Sequence, residues 1–358
     1  MRNDCLQNIR RLVVKLGTGV LTDTRKQPDL AQIRQLVAQV AGQRQAGREV
    51  VLVTSGAVGA GMGVLGYEQR PAKLDALQAC AAVGQSRLMA TYETLFARYG
   101  LHVGQVLLTH SDLEDHERHL NARNTLLTLL RRGVVPVINE NDTVSVTELK
   151  FGDNDRLSAL VAALLPADLL VILTTVEGVI ENFGGEKARV LSVVEAIDGA
   201  LEGMVGGTRS ATAVGGMATK IQAAKIVVRA GIPLVIASGL HKNALRRIVQ
   251  GEDEGTLFVP HAQRLKGRKR WIAFFHHPRG TLRVDEGAKQ ALREGGKSLL
   301  RPGVRDCEGD FDAGEVVRVC DLHGNEFARG IARFPACEIR VGKLDRSEVV
   351  HRDDLVIL

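Results

Sequence analysis

A chain of 358 residues, 45% hydrophobic and 25% charged, is too long for one ordinary core and suits two globular domains, which excludes disordered and collagen-like classes. Lysine and arginine total 47 against 41 acidic residues, a net charge of +6, which an anionic ligand, a nucleic-acid partner or surface background would each explain. Aromatic residues at 4% are too sparse for a stacking platform on single-stranded nucleic acid, and five cysteines without a Cys-x-x-Cys pair indicate buried free thiols rather than disulfides or a zinc site. The N-terminus has no apolar signal core, and the most apolar stretch, 157–173, is broken by Pro166 and Asp168, so a cytoplasmic chain without a membrane span is expected.

Residues 12–16 read as a buried strand ending in Gly17-Thr18-Gly19. A helix follows, capped by Asp29 with Gln32 three residues on, its apolar face formed by Leu30, Ile33, Val37, Val40 and Ala41. Residues 50–53 form the next strand, closed by Thr54-Ser55-Gly56. Gly61, Gly63 and Gly66 match a dinucleotide-binding GxGxxG, but the strand ends too far upstream, so the segment reads as flexible and glycine-rich. Residues 74–99 are largely helical, and the apolar runs 103–108, 134–138, 169–173 and 234–237 are further strands. This alternation predicts an α/β three-layer sandwich with a mainly parallel sheet, whose ligands sit beyond the carboxyl ends of its strands. The pattern changes near 258–270. Residues 1–262 read as one domain and 263–271 as a basic linker. Residues 272–358 read as a small, mostly β domain with strands at 281–284, 315–319, 326–332 and 355–358. Gly296-Lys297-Ser298 resembles the end of a P-loop, but Ala291 stands where a glycine is required.

Three groups of residues carry chemistry. Lys15 lies near the end of a buried-type strand, where an ammonium either snorkels to water or faces an anionic ligand. Asn139-Glu140-Asn141-Asp142 and Gly152-Asp153-Asn154-Asp155 stand at element ends, more carboxylates and amides than turns and caps require. Gly215-Gly216-Met217-Ala218-Thr219-Lys220 opens a helix, where glycines, free N–H groups and a lysine suit a phosphate. Lysines, glycine turns and an acidic cluster at one sheet edge form the set that phosphoryl transfer uses.

These residues resemble the glutamate 5-kinases of the amino acid kinase family. The resemblance covers nearly the whole chain, through VVKLGTGVLT (13–22), VVLVTSGAVGAG (50–61), AAVGQSRLM (81–89), VGQVLLT (103–109), RHLNARNTL (118–126), VPVINENDTV (135–144), FGDNDRLSALVA (151–162) and GGMATKIQAA (215–224). VDEGAKQAL (284–292) and HRDDLVIL (351–358) are similar to a PUA domain. The resemblance implies the amino acid kinase fold and transfer of phosphate from ATP to L-glutamate, giving L-glutamyl 5-phosphate in the first step of proline synthesis. It implies Mg²⁺ carried on ATP, with no metal held by protein side chains. Lys15 and Lys220 would stabilise the transferring group, with Asp155 orienting both. Ser55, Asp142 and Asn154, with Thr18, Asn139 and Asp153, would hold glutamate. Lys15, Thr174, Thr175, Val214, Gly215, Gly216, Met217, Ala218, Thr219 and Lys220 would meet the nucleotide. Proline feedback and a homodimer or homotetramer are further implications.

The chain departs from the family at Thr174-Thr175, where Thr-Asp is usual, in the short segment 179–187, and in the loop at Val214-Gly215-Gly216. All three touch the nucleotide side. The last domain is short between Phe334 and Val349. His116 and His119 lack metal-ligand spacing and read as surface residues. Two other functions stay open: a kinase for another small carboxylate or carbamate, and an RNA-binding or regulatory protein with an impaired kinase domain.

Overall fold

The computed structural model describes residues 2–23, 27–144, 154–181, 188–206, 216–261, 267–275, 278–342 and 348–358. Two units divide the chain, residues 1–263 and 264–358.

The first unit is built on an eight-stranded sheet. In chain order its strands, with one separate hairpin, are β1 (Arg11–Leu16), β2 (Glu49–Val53), β3 (Val103–Leu108), β4 (Val135–Glu140), β5 (Leu169–Thr174), the hairpin β6 (Ile180–Glu181) and β7 (Arg189–Val190), β8 (Val193–Val194), β9 (Leu234–Ser238) and β10 (Thr256–Phe258). The sheet runs β3-β4-β2-β1-β5-β9-β10-β8. The pairs from β3 to β9 are parallel, and β10 turns antiparallel against β9. Central strands β1, β4 and β5 are almost wholly buried, as a sheet covered on both faces requires, hence their continuous apolar runs. Asp168, which interrupts the long apolar stretch, accepts hydrogen bonds from the Arg10 and Arg11 amides at 3.0 and 2.8 Å and ties down the start of β1.

Strand β1 lies between β2 and β5, with Lys15 in register with Val53 and Ile172. The carboxyl edge therefore gathers Lys15, Thr54, Asn139, Thr174 and Ser238 from five adjacent strands. Strand β4 continues through Asn139 and Glu140, so half of the expected acidic turn is strand. Asp29 caps the helix Leu30–Gln45 by accepting from the Ala31 and Gln32 amides, while the Gln32 side chain reaches the Gly239 carbonyl instead of closing a capping box.

The glycine-rich segment after β2 is not flexible. It forms the helix Ala57–Leu65, packed on the helix Leu74–Ala97. A Cβ on Gly61 would stand 1.8 Å from the Cys80 carbonyl oxygen, and one on Gly84 1.8 Å from that of Ala57. The glycines allow two backbones to touch; they do not cradle a phosphate.

The second unit carries the strands β11 (Gly280–Val284), β12 (Leu299–Leu300), β13 (Val304–Gly309), β14 (Val316–Cys320), β15 (Glu326–Ile331), β16 (Glu348–Val350) and β17 (Leu355–Ile357). Its five-stranded sheet runs β13-β11-β14-β15-β17 around its own core, which includes Leu282, Val317, Val319, Phe327 and Val350. β13 escapes a sequence reading because its pattern is mostly polar and its pairing with β11 is irregular. Part of the presumed basic linker, residues 262–266, lies outside the described residues. The rest opens the helix Gly267–Phe274, which buries Arg270 and pairs Arg268 with Asp354 at 2.8 Å. Apolar Ile272, Ala273 and Phe274 drive that helix against its own unit, so these basic residues belong to a packed element.

Gly84→Ala should destabilise the protein by about 2–3 kcal/mol through overpacking. Gly42→Ala, in a helix with open space at its Cβ, should stabilise it by about 0.5–1 kcal/mol. Urea unfolding of both variants measures the contrast.

Candidate active site

The end of β1 delivers the Lys15 ammonium to the carboxyl edge, where it would be stranded without a counter-charge. The helix Asn154–Leu164 supplies one. Its residues from Leu157 to Leu164 are all buried, which draws the helix into the fold and sets its first turn at that edge. Lys15 Nζ lies 2.7 Å from Asp155 Oδ1, and Lys220 Nζ, from the first turn of the helix Met217–Arg229, lies 3.1 Å from Asp155 Oδ2. Thr219 Oγ1 donates to the same Oδ2 at 2.7 Å. Both lysines are 5% exposed and Asp155 only 1%. Burial pushes the Asp155 carboxyl up, but Lys15 and Lys220, with hydrogen bonds from Lys15 and Thr219, overcome it and hold the group at about 2. One carboxylate thus fixes two buried ammonium groups.

The preceding residue faces different chemistry. Asn154 Nδ2 donates to Ser55 Oγ at 2.8 Å, the Thr54 carbonyl at 3.0 Å and Asn139 Oδ1 at 3.1 Å. Thr54 is braced from below by Tyr92, whose hydroxyl lies 2.6 Å from Thr54 Oγ1 and which is fully buried. Asp142 is half-buried just beyond β4; burial raises its carboxyl to about 6, against the lowering effect of Arg70.

The geometry brings together Lys15, Lys220, Asp155 and Thr219 as one cluster, and Asn154, Ser55 and Asn139 as another. Thr18 is exposed in the short helix Thr18–Leu21 that follows Lys15 and Gly17. Thr174 is buried at the end of β5, and exposed Thr175 lies against the glycine turn: a Cβ on Gly19 would stand 2.7 Å from its methyl. Gly216 precedes the Met217 helix as its cap, with Met217 and Ala218 in the first turn. Asp153, Val214 and Gly215 lie outside the described residues. Thr54, Tyr92 and Gln85 carry no local signal in the sequence, because their contacts join residues 20 to 54 positions apart.

His119 corrects an expectation. It is 7% exposed, with Nδ1 3.2 Å from the Leu113 carbonyl oxygen, and burial lowers its pKa to about 4. It is a neutral structural residue at pH 7, whereas His116 is exposed. The thiols divide too: Cys80, Cys307 and Cys320 are buried, Cys5 is half-buried and Cys337 is exposed.

Residues 10–238 match the amino acid kinase family and residues 280–352 match the PUA domain. A glutamate 5-kinase of Moorella thermoacetica is 47% identical over 99% of this chain and 97% of its own. Those of Syntrophotalea carbinolica and Methylococcus capsulatus are each 46% identical, over 100% and 99% of both chains respectively. Among solved structures, the carbamate kinase from Giardia lamblia bound to AMP-PNP superposes with a TM-score of 0.52 at 18% identity, covering 71% of this chain and 99% of that one, a likeness of fold.

Asp155→Asn should cost about 3–5 kcal/mol at pH 7, because it removes the carboxylate that two buried ammonium groups share. The wild-type carboxyl titrates below its unfolded value, so its contribution is full above about pH 4 and fades as pH falls toward 2. Urea unfolding should therefore show the gap between the two proteins narrowing over that range.

Proposed function

The chain belongs to the amino acid kinase family and, within it, to the glutamate 5-kinases, and from that premise we propose that its first unit transfers the γ-phosphoryl group of ATP to the γ-carboxylate of L-glutamate. The observation that carries the reading is the adjacency of two subsites on consecutive residues. Asn154 joins the hydroxyl and amide groups, and Asp155 holds the lysines.

The nucleophile is the substrate's own γ-carboxylate, ionised at pH 7, so no general base is required. A P–O bond to that carboxylate forms as the bond to the β-phosphate bridging oxygen breaks; ADP leaves and no proton moves. Negative charge spreads over the three equatorial oxygens in flight. Lys15 and Lys220 are already desolvated and held by Asp155, so they stabilise that charge without reorganising at the moment of reaction. The partial positive charge at the start of the Met217 helix, with Gly216 and Thr219 beside it, supports a role for 214–220 in holding phosphates. Thr174 and Thr175 complete the nucleotide side, with threonine where an aspartate is usual. The phosphate oxygens of the nucleotide would carry Mg²⁺, which would neutralise part of their charge. Ser55, Asp142 and Asn154, with Thr18, Asn139 and Asp153, form the glutamate side: Asp142 for the α-ammonium, Ser55 for a carboxylate. Proline shares the α-carboxylate and a cationic nitrogen, which supports competition at that side. The reaction draws on cytoplasmic ATP, and no helix of the described residues is long and apolar enough to cross a membrane.

The test is ADP release that depends on L-glutamate; no glutamate-dependent release at millimolar substrate and Mg²⁺ overturns the reading. In that assay Lys220→Ala should lower kcat by roughly 10²–10³-fold, with KM for glutamate changed by less than about threefold, because its charge acts mainly in the transition state. Asp142 binds an ammonium only when ionised. KM for glutamate should therefore rise as pH falls below about 6, and Asp142→Asn should raise KM and flatten that profile.

A further inference from the structure

Four side-chain amides form one chain that leads away from the glutamate side. Asn154 Nδ2 donates to Asn139 Oδ1 at 3.1 Å, Asn139 Nδ2 to Gln85 Oε1 at 2.9 Å, and Gln85 Nε2 to Gln105 Oε1 at 3.2 Å. Asn139 is 1% and Gln85 8% exposed, and Gln105 lies exposed on β3. Every amide points the same way, its NH₂ toward the next. Burying a primary amide is costly unless its ends are paired. Gln85 Oε1 holds the Asn139 nitrogen, which turns Asn139 Oδ1 toward Asn154, and the Thr54 carbonyl holds the Asn154 amide in the same sense. The close packing at Gly84 holds the helix that carries Gln85 against the fold.

We infer that Gln85 is a positioning residue for the amino-acid substrate, acting through Asn139 to fix which end of the Asn154 amide serves as acceptor. The inference rests on the glutamate site proposed above. With its NH₂ held by Asn139, Ser55 and the Thr54 carbonyl, Asn154 keeps Oδ1 buried without a hydrogen-bond partner. A flip would set that oxygen against the Thr54 carbonyl and Asn139 Oδ1, neither of which can donate. Ser55 Oγ accepts from Asn154, which frees its own hydrogen to donate. An acceptor and a donor thus stand side by side, the complement of the ammonium and carboxylate of a zwitterionic α-amino acid. A dicarboxylate without the ammonium satisfies only one of them.

Gln85→Met keeps the length and removes both hydrogen bonds. It should raise KM for glutamate about tenfold, the worth of one net hydrogen bond, with kcat and KM for ATP within about twofold. The discrimination between glutamate and the competitor glutarate, which lacks the ammonium, should shrink by a similar factor because Asn139 is then free to turn over, which leaves the Asn154 amide held by the Thr54 carbonyl and Ser55 alone. Gln85→Glu still accepts from Asn139 and should stay within about threefold of wild type. If the Met variant does not fold, Gln85→Asn, too short to span both partners, takes its place with the same expectation. Unchanged KM and unchanged discrimination would overturn the inference, as would equal losses of kcat and both KM values that Gln85→Glu does not rescue. Calorimetric titration of glutamate and glutarate onto the full chain reads the same ratio without turnover, so a wild type that releases no ADP sinks the activity and not the relay.

Discussion

A single carboxylate between two buried ammonium groups is the constraint on which the active unit depends. Each lysine alone would face a desolvation cost of several kcal/mol at its position. Asp155 offsets much of it with two ion pairs and ties together β1 and two helices from distant parts of the chain. The parallel sheet is the frame that brings these charges to one edge, where the proposed transfer would draw on the same lysines that Asp155 pins.

Asn154 and Asp155 are consecutive, so the amide that meets Ser55 and Asn139 and the carboxylate that holds both lysines share one helical turn, which would set the proposed glutamate and phosphate sides next to each other. Their separation is set by a peptide unit rather than by flexible loops, which suits a reaction that depends on alignment of nucleophile and phosphorus. The amide chain through Asn139 and Gln85 extends this rigidity outward. It makes hydrogen-bond polarity, and not only shape, a property of the site.

Local signals carried much of this and misled in identifiable places. Continuous apolar runs revealed the central strands, and Asp29 announced its helix, because both follow from nearest-neighbour chemistry. Gly61, Gly63 and Gly66 read as a flexible segment yet form a helix, since a glycine that lets helices touch and a glycine that loosens a loop look the same in one dimension. His119 read as a surface residue because nothing beside it in sequence tells that Leu113 folds over it. Part of the basic run before residue 271 packs as a helix because three apolar residues follow it, a pattern too short to stand out.

The sequence by itself determined the sheet, and it pointed to the carboxyl edge, with Lys15, Lys220 and the Asn154–Asp155 pair, as the proposed place of chemistry. Strand burial, helix starts and unusual charges are written locally, and the family resemblance supplied their roles. Only the tertiary structure decided that Thr219 joins the two lysines on the Asp155 carboxylate. It alone decided that Tyr92 braces Thr54, and that Gln85, 54 positions from Asn139, accepts from the Asn139 amide in a chain of four. Those contacts depend on how close the helices come and which way an amide turns. Both are settled by the simultaneous packing of distant segments, which no stretch of the chain encodes alone.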